Sequence, residues 1–441
     1  MQPPVFSRPL QRLIMLVAVL IPVTSSFDIF LIVNIGGNFR FCQIVAPILI
    51  ALAIVKANRR GRLPVLALLP LCLWLAVQCT FIPATNFWPK SVAYCVWLAV
   101  NIALMFSYVQ LFGDDTARLQ ALLRCYIFSF VIIAGFGVLQ FTLPLLGLPA
   151  ILVTQWWIPD FLPRANGFSY EPSYFATYLL IGFVLVSALR YARSPLLSRR
   201  ALTATYWVLA LGIILSSSRM GIIFLLLEIG LSQIRPWAAA IGDFAGLRLS
   251  RSRMHALAPS LLMLMFVSAL GSVAAIALER NPMVMLMFLN GTGISDTAAH
   301  SVLEREGSFE ETLQVFAEHP LIGRSLGGVS SAIANLNGET VHSFEESKPF
   351  EGMSVFAEGL AGSGLFGFIP FVWFLIVTIR EPLRIARATS PFHSALLHAF
   401  VRSLVFAWAI LQVNQNMLRP YLWVHLAMLA TVYASARKAA A

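Results

Sequence analysis

Arg164 and Glu171 lie seven residues apart in the segment Arg164-Ala165-Asn166-Gly167-Phe168-Ser169-Tyr170-Glu171-Pro172-Ser173. A guanidinium and a carboxylate at the mouth of a helix make an anion-binding and acid/base pair. Pro172 suits the first turn of that helix, where its missing N–H costs nothing, so Glu171 falls at the positive helix end. The structural alternative is an ordinary cap beside a snorkelling arginine. A second segment, Ser216-Ser217-Ser218-Arg219-Met220-Gly221, joins two apolar runs so tightly that Arg219 sits near an interface. A charge there is expensive unless it is paired or lines an aqueous cavity. A third, His319-Pro320-Leu321-Ile322-Gly323-Arg324-Ser325-Leu326-Gly327-Gly328, combines glycines that let a backbone approach phosphate with an arginine that can grip its oxygens. Arg305 lies ahead of a helical-looking stretch before it, and His342 follows it as a candidate base, with a solvated surface histidine as the alternative.

These residues must be positioned by very apolar elements. Of 441 residues, 59% are apolar and only 12% charged, against about 45–50% and about 25% in soluble domains. Runs long enough to cross a bilayer recur along the whole chain, without the period-two alternation of barrel strands. They predict an all-α polytopic membrane protein with about twelve transmembrane helices, near 13–33, 41–55, 63–82, 91–112, 122–145, 173–189, 201–217, 220–234, 256–278, 354–379, 394–414 and 420–436. The organisation expected is nine helices in 1–278, with a medium outside loop at 146–172, then a large loop at 279–353 and three helices in 354–441. The large loop is partly helical, over Phe309 to Glu318, and acidic, with eleven Asp or Glu against four Lys or Arg.

The net charge of +11 follows topology rather than nucleic-acid binding. With the N-terminus in the cytoplasm, 21 of the 31 Lys and Arg residues fall on inside segments, so both termini are expected inside. Arg164, Arg219, Arg305 and Arg324 are then exceptions gathered on the outer side. Arg402 lies within an apolar run, and Arg419 is expected to anchor an interface. The five cysteines fall in or beside apolar runs and indicate neither disulfides nor a metal site. No P-loop or dinucleotide fingerprint is present. Arginine grips phosphate in a planar, bidentate manner without a metal ion, so a lipid-linked pyrophosphate would fit this set.

In order, Arg164-x-x-Gly167 with Glu171-Pro172-Ser173, Ser218-Arg219 with Gly221, His319-Pro320-Leu321-x-Gly323 with Gly327, and Gly364-Leu365-Phe366-Gly367 resemble the O-antigen polymerase and O-antigen ligase superfamily of bacterial inner-membrane glycosyltransferases. The resemblance implies a GT-C-like fold and a periplasmic site, with a saccharide on undecaprenyl pyrophosphate as substrate and no cofactor. An acceptor hydroxyl attacks the anomeric carbon, and undecaprenyl pyrophosphate leaves. By position, Arg164 and Arg219, then Arg305 and Arg324, would hold the pyrophosphate, with Glu171 as the base of a polymerase; His342 would stand in for a ligase histidine only with the loop rearranged. A chain-length regulator and a flippase are the implied protein partners. Ligases carry a His-Asn pair shortly before the glycine pair, where this chain reads Met353-Ser354, so the polymerase branch is favoured over a ligase acting on lipid A-core. A transporter, with Arg402 in its pathway, is the alternative from another class, and a non-catalytic scaffold would leave the arginine cluster unexplained.

Overall fold

The computed structural model describes residues 6–34, 38–158, 160–245, 296–352, 354–413 and 417–440. In chain order the helices are α1 Arg8–Thr24, α2 Phe41–Arg60, α3 Leu68–Thr80, α4 Trp88–Phe112, α5 Thr116–Leu145, α6 Pro172–Tyr191, α7 Arg199–Leu215 and α8 Arg219–Ala245. They continue as α9 Asp296–Glu318, α10 Val329–Leu336, α11 Val355–Ala386, α12 Pro391–Ile410 and α13 Pro420–Ala440. Two small antiparallel pairs, β1 Ile32–Asn34 with β2 Asn38–Arg40 and β3 Trp156–Ile158 with β4 Leu162–Pro163, are the strands among the described residues. Six of these helices, α2, α4, α5, α6, α11 and α12, are long and apolar enough to cross a membrane. The architecture is therefore all-α and of membrane type.

The apolar runs become helices because an α-helix satisfies its own backbone, and local residues set their ends. Asp115 caps α5 through the N–H groups of Ala117 and Arg118, and Ser198 caps α7 through that of Ala201. The expected helix at 256–278 lies outside the described residues; each of the other eleven coincides with a helix. α2 has 20 residues and α8 has 27, both longer than their apolar runs suggested. The first expected helix, at 13–33, instead begins at Arg8 and ends at Thr24, with Pro22 in its last turn. Beyond it, the N–H groups of Asp28 and Ile29 donate to the Phe168 carbonyl at 2.8 and 3.2 Å, so tertiary pairing replaces the continuing helix.

α13 is the buried axis of the bundle, with every residue from Pro420 to Ala436 buried. It packs along α4 and α12, while α6, also largely buried, packs along α12 and α7. α11 is broken at Gly364, whose φ of 57° and ψ of −176° suit a residue without a side chain. The segment before α10 fills this break. Leu365 and Phe366 donate to the carbonyls of Pro320 and Leu321 at 2.9 and 3.4 Å, and Arg324 N–H donates to Ala361 at 3.1 Å. Trp74 and Gln78 of α3 both donate to the Ser363 hydroxyl beside it, at 3.0 and 2.7 Å.

Candidate functional site

The segment before α6 is held by Gln140 of α5 and by its own Asn166. Gln140 accepts from the N–H groups of Asn166 and Gly167 at 3.2 and 2.7 Å and donates to the Gly167 carbonyl at 2.9 Å. The Asn166 amide donates to the carbonyls of Leu152 and Ser169 at 3.1 and 2.8 Å. Gly167 has φ of 56°, and a Cβ there would come within 2.7 Å of the Phe175 ring. Ala165 N–H donates to the Leu215 carbonyl at 3.1 Å, so this segment docks on the end of α7.

That docking aims Arg164 at the connection between α7 and α8. Its Nε donates to the Ser216 carbonyl at 3.3 Å, Nη2 to the Ser217 carbonyl at 3.2 Å and Nη1 to Gln155 Oε1 at 2.8 Å. The Trp157 ring flanks it at 5.7 Å. A guanidinium has five N–H donors. With three engaged, one remains on each Nη to meet the oxygens of an anion.

Glu171 is the residue before α6, with Pro172 at the first helical position, and its Oε2 accepts from the Ser173 hydroxyl at 2.9 Å. Arg219 opens α8, which packs against α6. Burial, then the positive charge of Arg219, lower the Arg164 pKa, while Glu171 opposes them. Arg219 and Glu171, from two separate segments, are thus both electrostatic neighbours of Arg164. Arg219 stands at the positive end of α8, where an anion is favoured.

A second charged group adjoins the first. The Asp28 carboxylate pairs through Oδ1 with Arg40 Nε and through Oδ2 with Arg419 Nη1, both at 2.8 Å. Burial pushes the Asp28 carboxyl up, but Arg419 and Arg40 together outweigh it and hold the pKa below its ordinary value. The Arg419 guanidinium lies 3.8 Å from the centre of the Tyr174 ring, in the first turn of α6. Tyr174 has Arg419, Glu171, Glu351 and Asp28 as charged neighbours, which connects the two groups. Buried Lys90 donates to Glu351 Oε1 at 2.9 Å and to the hydroxyls of Ser330 and Ser347 at 3.0 and 2.9 Å, fastening the segment before α11 to α4. Sequence reasoning passed over Asp28, Lys90, Tyr174 and Glu351. For Asp28 a signal existed: an acid inside an apolar run is costly and needs a partner. Arg419, expected as an interface anchor, is instead 8% exposed and held by Asp28.

The remaining candidates lie elsewhere. Arg324 donates through Nη1 to the Ala84 carbonyl at 2.6 Å and contacts His319 Nε2 through Nη2. The glycines around it face backbone: a Cβ on Gly327 would come within 2.5 Å of the Lys90 carbonyl, and one on Gly323 would overlap Gly362. Arg305 lies on α9, and its side chain is outside the described residues. His342 is exposed, with Thr340 and Glu346 as its partners. Arg402 pairs with the fully buried Glu228 of α8, Nη2 to Oε2 at 2.8 Å. Among the described residues, no group of three or more His, Cys, Asp or Glu could hold a metal ion. The chain matches no known protein-family model and no curated protein.

Proposed function

We propose that this chain is an inner-membrane glycosyltransferase that polymerises undecaprenyl-pyrophosphate-linked oligosaccharide repeats at the periplasmic face. The observation that carries this reading is Arg164: its guanidinium is locked by three bonds, retains one N–H on each Nη, and has Arg219 and Glu171 as charged neighbours. Such a group is built to meet a diphosphate. In the reaction, an acceptor hydroxyl oxygen bonds to the anomeric carbon of the donor saccharide as the bond to pyrophosphate oxygen breaks. The electron pair leaves with undecaprenyl pyrophosphate, whose developing charge Arg164 and Arg219 offset. Glu171 takes the hydroxyl proton.

The fuller arrangement belongs to the same proposal: about twelve spans, both termini cytoplasmic, a GT-C-like frame and a large periplasmic loop carrying Arg305, Arg324 and His342. The Arg402–Glu228 pair gives Arg402 a structural partner, so that charge alone does not call for a transport pathway.

The test is disruption of the gene in its host, with surface polysaccharide resolved on a gel. Carriers or acceptors bearing a single repeat should accumulate, and Arg164→Ala or Arg219→Ala should reproduce this at normal protein levels. Full-length polymer left unattached to its acceptor would mark a ligase. Polymer normal in length and attachment would overturn the glycosyltransferase reading.

A further inference from the structure

Asp28 reaches the residues on both sides of Glu171. Upstream, its own N–H and that of Ile29 donate to the Phe168 carbonyl. The rings of Phe27 and Phe30 pack on Phe168 at 4.3 and 5.6 Å, which fixes the same contact by packing. Downstream, its carboxylate holds Arg419, whose guanidinium covers Tyr174 at 3.8 Å. Tyr174 is one turn beyond Glu171 and donates its N–H to the Glu171 carbonyl at 3.1 Å. Glu171 therefore lies between two points that a single residue anchors.

Stability alone is a poor reason for this arrangement. Replacing a buried ion pair by well-packed apolar side chains is often neutral or stabilising, because desolvation offsets the Coulomb attraction. A carboxylate shared by two arginines does what an apolar contact cannot: it sets direction, through bonds with defined geometry. Asp28 comes from the end of α1, Arg40 precedes α2 and Arg419 precedes α13, so the anchor ties three helix ends to the start of α6.

We propose that Asp28 and Arg419 are positioning residues that act through Tyr174 and the backbone of residues 168–170 to hold Glu171 in register with Arg164. This rests on the reading that Arg164, Arg219 and Glu171 carry the chemistry. The test uses the full chain in lipid nanodiscs, with two measurements. One is hydrogen exchange of residues 168–174. The other is elongation kinetics per folded molecule, with the host's undecaprenyl-pyrophosphate-linked repeat as substrate.

Asp28→Asn should speed exchange in that segment and lower kcat about 100-fold, as a misplacement near 1 Å does, while KM for the lipid-linked repeat stays within about threefold. Asp28→Glu should recover much of the loss. Arg419→Lys, which keeps the charge and loses the planar stack, provides a second variant should Asp28→Asn not fold, and it should behave alike. A purely structural role predicts fewer folded molecules with unchanged kcat, and that result would overturn the proposal. Exchange at 168–174 equal to wild type would overturn it as well. If the wild-type chain elongates nothing, the glycosyltransferase reading falls, and the exchange measurement still decides whether Asp28 holds the segment.

Discussion

Arg164→Lys separates charge from shape at the candidate site. Lysine keeps the positive charge but has one nitrogen where Arg164 uses three, spread over Ser216, Ser217 and Gln155. An ammonium can serve the two adjacent carbonyls or the glutamine, so one or two charged hydrogen bonds are lost. At about 1.5–3 kcal/mol for each bond involving a charged group, the fold should lose about 1.5–6 kcal/mol. The functional loss is separate, because the two remaining N–H groups disappear together. One transition-state bond of about 3 kcal/mol corresponds to about 100-fold in rate. The assay is elongation per folded molecule in nanodiscs, beside thermal unfolding of the same preparation. Gln155→Leu is the control: it removes one Arg164 partner, should cost about 1.5–3 kcal/mol, and should slow elongation less than about tenfold. Elongation by Arg164→Lys within about threefold of wild type would refute the argument that a planar fork is required.

Other perturbations test the frame. Gly327→Ala places a Cβ within 2.5 Å of Lys90 backbone atoms and should cost about 3 kcal/mol in thermal unfolding; Gly230→Ala, with nothing within 4 Å, should stay within about 1 kcal/mol of wild type. Arg402→Met leaves Glu228 buried and unpaired, and should cost about 3–5 kcal/mol, whereas Arg402→Met with Glu228→Leu should return near wild type. A double variant no more stable than the single one would count against that pairing. Asp28 has a folded pKa depressed below its ordinary value of 3.8, so its stabilisation is fully present above that pH and is lost as pH falls through the folded value. In acid unfolding, the stability gap between wild type and Asp28→Asn should therefore close below pH 3.8.

The helices were legible because each is decided locally. A long apolar run has no means of satisfying its backbone in hydrocarbon except as a helix, whatever its neighbours do. Glu171 before α6 was legible for the same reason, since Pro172 at the first helical position is a matter of adjacent residues. The end of α1 was not. Pro22 hints at it, but what turns the chain at Thr24 is the Phe168 carbonyl waiting for Asp28 and Ile29. Nor was the break in α11: glycines occur within intact helices as well, and only the carbonyls of Pro320 and Leu321 make a break at Gly364 affordable.

Composition and apolar runs were enough to establish an all-α, membrane-type chain, and residue spacing marked Arg164, Arg219 and Glu171 from two separate segments. Tertiary structure alone decided which charges meet. Asp28 and Arg419 are 391 residues apart, Lys90 and Glu351 are 261 apart, and Glu228 and Arg402 are 174 apart. An ion pair depends on distance in space, falling off over a few ångströms in water and over longer reach in a low-dielectric interior. Neither spacing nor periodicity along the chain encodes that distance. The packing of α1, α6 and α13 does, and it brings Asp28 and Arg419 to the first turn of α6, beside Glu171.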